Sequence, residues 1–462
     1  MMNRYFKRIA VIAITIMISI FYSTPGYTVQ ASAGSNQNII NVKDHGAKGD
    51  GRSDDTAAIQ QILDSVDGNG ATVYFPKGTY MINPSKTLLV NSLTKILGDG
   101  TSSIIKANDN NFGWELMRLH GHDIEIEGIV LDGNMAVNRI LVIDPGSSAI
   151  KVSNSILSNA THSKDSQSEY YTGIVTGVMI YGNTDRITID NTEVSHISAV
   201  NLTADSLIAR GIYVTTSWGS NEKVGTNVSI TNSHIHHIGP ADDGDGIYYE
   251  DRNLENDKAQ DTNSLIANNV FDNNAKRAIK LYAQGITVRD NRIVNSYLKN
   301  NYYYAGNDKG KQAPDMYAGI SVYGSNNTIK NNTIGGVGSY YAAIEVSSWQ
   351  TVNNVKIDGN QITMGAKSST VGTTAIRLGN TKDFSIVNNQ IENADKGIWT
   401  WQNAEKGSIV GNVIQATQGG IDLTTYVENC TQKNIVLRNN TIKGKAFNVQ
   451  LAKTNVNVEV IS

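Results

Sequence analysis

Apolar residues fall in short bursts along most of the chain, alternating with polar residues over a few positions and closing on Gly, Asn or Asp. Such brief alternation is the period of half-buried strands, not of helices. From about residue 98 the strands come in pairs, the first opening on Gly or Ala followed by Ile or Val, the second ending, imperfectly, in Asn-x-Ile. Successive pairs read GVMIYG with ITIDNTEV, GIYVTT with VSITNSHI, GIYYED with LIANNVF, AIKLYA with ITVRDNRI, and GISVYG with TIKNNTI. They continue as AIEVSS with VKIDGNQI, AIRLGN with FSIVNNQI, GIWTWQ with SIVGNVI, and GIDLTT with IVLRNNTI.

A repeat of this kind predicts a solenoid, because one unit cannot bury its apolar face until neighbours stack on it. The expected fold class is all-β, a solenoid of stacked strands. Asn191, Asn232, Asn269, Asn291, Asn332, Asn360, Asn389, Asn412 and Asn440 recur in the copies. Stacked at one turn, their side chains are expected to bond one another and the backbone, a structural role. Loops near 160–175, 216–226, 251–262 and 297–318 interrupt the repeat and are candidate walls of a binding face. The last of these is rich in Tyr.

The pattern changes in residues 39–82. Ser53-Asp54-Asp55-Thr56 offers helix-capping side chains, and Ala57, Ile59, Ile62, Leu63 and Val66 follow at helical spacing. The segment ATVYFPKGTYMI returns to strand alternation. A short helix here would cap the exposed edge of the first coil. At the extreme N-terminus, Arg4, Lys7 and Arg8 precede an apolar run from Ile9 to Tyr22, and Ala31-Ser32-Ala33 offers small residues for cleavage. The run of about 14 residues falls short of the roughly 20 that span a bilayer, so an export signal is expected and no membrane anchor after its removal. The expected organisation is a signal at 1–33, a cap with the first strands at 34–97 and the coil at 98–462, in a secreted, extracellular protein. Its single Cys, Cys430, excludes an intrachain disulfide. A net charge of −3 without a basic stripe argues against nucleic acid as a partner. Nothing in the sequence specifies an oligomeric state.

Strand alternation also says which side chains leave the core. In each GIxVx copy the residue between the two apolar ones points outward. Stacking the copies yields one column of Met179, Tyr213, Tyr248, Lys280, Ser321, Glu345, Arg377, Trp399 and Asp422. A second, two residues later, holds Tyr181, Thr215, Glu250, Tyr282, Tyr323, Ser347, Gly379, Trp401 and Thr424. Tyr213, Tyr248, Tyr282, Tyr323, Trp399 and Trp401 are candidate stacking surfaces for sugar rings, and Glu345 and Arg377 candidate polar contacts or a simple cross-rung ion pair.

The densest chemistry is ADDGDGIYYED at 241–251 followed by NNAKRAIKLY at 273–282. Three readings stay open. In a lyase acting on a uronic acid, Lys280 would take a proton while Arg277, or a Ca²⁺ ion held by Asp242, Asp243, Asp245 and Glu250, neutralises the sugar carboxylate. In a glycoside hydrolase, Asp243 or Asp245 with Glu250 would supply the acid and base. In the third, the DDGDG segment is an acidic Gly-rich turn. His234, His236 and His237 invite a metal reading, but the sequence nearby supplies no matching ligand spacing, so surface or turn histidines are expected.

The segments NVKDHGAKGDGRSDDTAAIQ and VYFPKGTYMI resemble the opening of the pectate-lyase-like superfamily, which includes rhamnogalacturonases and epimerase-like β-helix proteins. That resemblance implies a right-handed parallel β-helix of about ten rungs and is specific for the fold rather than the reaction. The order of Asp242, Asp243, Asp245 and Lys280 is similar to the calcium site and catalytic lysine of lysine-dependent pectate lyases, although Arg210 stands where a further Asp is expected. The Gly-His-Gly motif of polygalacturonases is missing. The expectation is a secreted polysaccharide-active enzyme, a uronate lyase ahead of a hydrolase of the polygalacturonase or rhamnogalacturonase type. A non-catalytic glycan-binding solenoid, as in adhesins and tailspikes, is the third class.

Overall fold

The computed structural model describes residues 38–461 apart from 257, 295–299, 314–315, 336–339, 348–349, 365–372 and 426. The predicted signal at 1–33 lies outside the described residues, as does part of the Tyr-rich 297–317 loop. No helix among the described residues is long and apolar enough to cross a membrane.

The chain winds as a parallel β-helix whose strands form three stacks. The first runs from Ile39–Asn41 through Ala71–Phe75 and Thr94–Gly98 to Val456–Ile461, in a 16-stranded sheet. The second stack includes Glu193–Ile197, His234–Ile238 and Val270–Asp272. The third includes Ile208–Val214, Asp243–Glu250, Arg277–Tyr282, Met316–Val322, Tyr340–Val346 and Thr374–Leu378, and holds the outward columns read from the repeat. Ile, Val and Leu fill the coil interior, with Ile212, Ile247, Ile279, Ile320, Ile344 and Ile376 stacked without exposure.

Sequence predicts the N-terminal helix well. It spans Thr56–Ser65 and buries Ile59, Ile62 and Leu63, with Thr56 rather than Ala57 completing the inner face. Asp54 accepts the Thr56 backbone N–H at 2.9 Å, and Asp55 ties down the Lys48 and Gly49 N–H groups. Gln60 accepts from the Leu89 N–H and donates to its C=O, which occupies the edge of the first strand in the third stack, Leu88–Val90.

The Asn ladder is real but shorter than the sequence suggests. From Asn269 through Asn291, Asn332, Asn360, Asn389 and Asn412 to Asn440, each Oδ1 accepts both the backbone N–H and the side-chain Nδ2 of the Asn one coil earlier, at 2.9–3.0 Å. Asn191 and Asn232 belong to the neighbouring column. They sit one position earlier with φ of 44° and 51°, stacked with Asn268, Asn331 and Asn388, where the left-handed backbone favours Asn or Gly. Thr192 and Ser233 take the ladder position in those coils. Consecutive Asn residues in most later copies conceal this one-residue offset.

Candidate functional site

Three adjacent strands of the third stack bring the predicted charges together. Asp245 pairs with Arg277, Tyr248 with Lys280 and Glu250 with Tyr282, while Arg210 stands beside Asp245 and Tyr213 beside Tyr248. The first column reads across the strands in the predicted register from Met179 to Asp422.

Asp243 is the electrostatic centre. Its carboxylate meets Arg210 at 2.7 Å, Arg277 at 3.0 Å and Lys280 at 3.4 Å. Burial works against ionisation, yet Lys280, Arg210, Arg277 and Lys276 outweigh it and hold the carboxyl well below the ordinary Asp value. Arg277 also binds Asp245 at 3.1 Å and donates from Nε to Ser321 at 3.2 Å. Asp242 faces Lys276 at 3.4 Å, and burial pushes its carboxyl upward against that cation. Lys280 lies 4.1 Å from the centre of the Tyr248 ring. Burial pushes its ammonium pKa down, the charge of Asp243 opposes this, and repulsion by Arg277 adds to it.

Two expectations need correction here. Tyr213 and Tyr248 leave the coil as predicted, but they are only 2% and 5% exposed and form a small apolar cluster with Val142 and Met179. Their rings stack at 5.3 Å, and Arg210 lies over both, 4.1 and 4.3 Å from the centroids. Neither ring has a face left for a sugar. Their hydroxyls, with that of Thr215, instead converge on Glu250, which also meets Arg252 at 3.2 Å. Burial raises the Glu250 carboxyl, but these donors and the nearby arginines outweigh it and hold it below the ordinary range.

The second correction concerns Ca²⁺. The ion takes about six to eight oxygens at short range. Asp243 and Asp245 are turned to Arg210, Arg277 and Lys280, Asp242 to Lys276, and Glu250 to the hydroxyls and Arg252. As arranged, this donor set does not fit a calcium ion, since each acid is already engaged by a cation, from an adjacent coil at Asp242, Asp243 and Asp245 and from the same coil, through Arg252, at Glu250.

The remaining candidates extend the wall. Tyr282 and Tyr323 are half-buried with ring centroids 5.6 Å apart, and Tyr282 donates to Glu255 from the 251–262 loop. Glu345 and Arg377 form a buried ion pair at 3.2 Å beneath the surface. Burial pushes the Glu345 carboxyl up, against the pull of Arg377 and Arg277. Arg377 lies 4.3 Å from the Trp401 ring and 5.5 Å from Trp399, and both tryptophans stay partly accessible. Sequence reasoning missed three contributors. Arg210 was read only as an absent Asp. Trp218, 91% exposed in the 216–226 loop, and Arg252, 5.0 Å from its ring, sit in loops where no periodicity assigns a direction. The 297–317 loop joins the wall through Tyr302, whose N–H donates to the Ala241 carbonyl at 3.1 Å, just before the Asp242–Asp243 pair.

The profile of the rhamnogalacturonase A/epimerase, pectate lyase-like family matches residues 39–337. The chain belongs to this family. A right-handed β-helix profile covers 313–461. Among curated relatives, alginate lyase 7 of Azotobacter vinelandii is 37% identical over 110 residues, which is 20% of this chain and 12% of that protein. An SPbeta prophage-derived protein of Bacillus subtilis, YomE, is 32% identical over 169 residues, 34% of this chain and 24% of its own length. Mannuronan C5-epimerase AlgE3 of A. vinelandii is 45% identical over 82 residues, 16% of this chain and 4% of that enzyme. These matches span a quarter or less of the relatives' lengths. Among solved structures, the AlgE6 A-module of A. vinelandii mannuronan C-5 epimerase superposes with a TM-score of 0.59 at 17% identity, covering 91% of this chain and 98% of that one. DFA-IIIase of Arthrobacter chlorophenolicus A6 gives 0.54 at 13%, covering 83% and 99%. At these identities the superpositions speak for the fold.

Proposed function

We propose that this family member is an exported polysaccharide-active enzyme that cleaves a uronic-acid-containing glycan by β-elimination, with Lys280 as proton acceptor. Lys280 itself carries the reading. Its amine is held below the ordinary lysine value of 10.5 chiefly by burial, and it remains partly open at the surface of the wall. Abstraction of a proton beside a carboxylate asks for a base whose pKa has moved towards the working pH. Matches to an alginate lyase, mannuronan epimerases and glucan glucosidases support a polysaccharide substrate.

In this reading the Lys280 lone pair takes the C5 proton. The C4–O bond then breaks, its electron pair leaves with the oxygen, which gains a proton, and a C4=C5 double bond remains. Arg277 is too buried to reach a sugar, so its role is to hold Asp243 and Asp245 in place. Lys276 and Arg252, which are partly accessible, supply positive charge for the substrate carboxylate. Tyr282, Tyr323, Trp399, Trp401 and Trp218 are the aromatic surfaces in reach of sugar rings. Hydrolysis by Asp243 or Asp245 with Glu250 finds less support. Asp243 and Glu250 are both held ionised, Asp245 is fully buried, and a glycosidase needs one carboxyl protonated.

The test is incubation with pectic, alginate and glycosaminoglycan polymers, following unsaturated-product absorbance beside new reducing ends. Both signals together, and the loss of both in Lys280→Ala, are expected. Reducing ends without absorbance would mean a hydrolase, and glycan binding without any product would mean a binding solenoid.

A further inference from the structure

The second stack carries a cluster that the proposed reaction does not use. His234 and His236 alternate on one strand, so both leave the coil on the same side. His236 pairs with Asp272 on the next coil, and His234 with Glu193 on the preceding one. Potential ligand atoms of His234, His236 and Asp272 lie within 4.8 Å of one another, the one such His or acid group among the described residues. His234 Nε2 stands 2.6 Å from Asp272 Oδ2, and His236 Nε2 stands 3.3 Å from Glu193 Oε1. The two imidazoles stack at 4.0 Å, and His237 stacks on His196 at 5.1 Å. Sequence spacing missed the group because Asp272 is 36 residues beyond His236 and arrives only through the coil.

We propose that His234, His236 and Asp272 bind a divalent transition-metal ion of the Zn²⁺ class, with the Glu193 carboxylate within reach as a fourth ligand. Imidazole nitrogen with carboxylate oxygen suits zinc, copper or nickel and not calcium. Tetrahedral zinc holds its ligands about 2.0–2.2 Å from the ion, and the metal would replace the proton between His234 and Asp272. A metal here would pin three successive coils. His234 and Glu193 also border a surface groove with Asn154, Asn191 and Asn232, which leaves the ion a way in.

The test is calorimetric titration of the full, untagged chain with Zn²⁺ and with Ca²⁺ near pH 7.5, alongside thermal melts. The expected result is one equivalent of Zn²⁺, a Tm that rises with Zn²⁺ concentration, and no Ca²⁺ binding at this group. His234→Ala, His236→Ala and the near-isosteric Asp272→Asn should each weaken Zn²⁺ binding at least tenfold, whereas His120→Ala should not. Circular dichroism identifies any variant that fails to fold, and Asp272→Asn keeps the test decisive if His236→Ala does so. No saturable Zn²⁺ binding, or binding unchanged in folded Asp272→Asn, overturns the proposal. Turnover does not enter, so this site and the Lys280 reading fail independently.

Discussion

Arg277 and Asp245 stand at directly paired positions on adjacent coils, and their contact, 3.1 Å from Nη1 to Oδ1, lies beneath the wall instead of on it. The charged residues of the site therefore divide into a buried frame of Arg210, Arg277 and Asp245 and a more open rim of Asp242, Asp243, Lys276 and Lys280.

Breaking that frame should cost stability before it costs chemistry. Asp245→Asn leaves a buried guanidinium with one carboxylate fewer, and removing one partner of such a pair typically costs about 3–5 kcal/mol. Urea unfolding should show a lower midpoint of this order. An unchanged midpoint would mean that Asp243 alone satisfies Arg277.

The pH profile of any lyase activity should rise on a limb set by Lys280, at a pH below the ordinary lysine value of 10.5. The neutral amine is the base, so activity grows as pH climbs through its pKa. Asp243 opposes the downward shift, so in Asp243→Asn the limb should move to still lower pH in whatever fraction folds. Lys280→Arg keeps the charge but cannot give up its proton at these pH values, and a loss of about 10²–10⁴-fold in kcat is expected. A profile unmoved by Asp243→Asn would detach the limb from Lys280.

The two asparagine columns separate cleanly by substitution. Asn332 accepts two hydrogen bonds from Asn291, so Asn332→Ala strands buried donors and should cost about 1–3 kcal/mol or more. At Asn331, with φ of 53°, Gly should be tolerated and Val should destabilise by about 1–2 kcal/mol. Thermal melts of the variants decide, and equal costs for Asn331→Gly and Asn332→Ala would refute the assignment.

Aromatic residues should split the same way. Trp218→Ala should raise KM several-fold and leave Tm unchanged, because its ring is held by little beyond Arg252. Tyr248→Ala removes a ring packed against Tyr213, Arg210 and Lys280, and should destabilise by about 3–5 kcal/mol. If Tyr248→Ala raised KM at full stability, the ring would have to face substrate after all.

Much of this protein was legible in one dimension. Alternation with period two determined which residues line the coil, so Ile247 and Ile279 point inward and Tyr248 and Lys280 outward as the repeat predicts. It also determined cross-strand partners, because each copy begins at the same point of the turn. Alternation says nothing of what covers an outward residue, and this is where the sequence reading failed. Arg210 turns Tyr213 and Tyr248 from sugar platforms into wall, and the acids read as calcium ligands meet Arg210, Lys276, Arg277 and Lys280 across coils and Arg252 within one. His234 and Asp272 become neighbours for the same reason. Contacts between residues dozens of positions apart depend on how long each coil is, and only the wound chain fixes that.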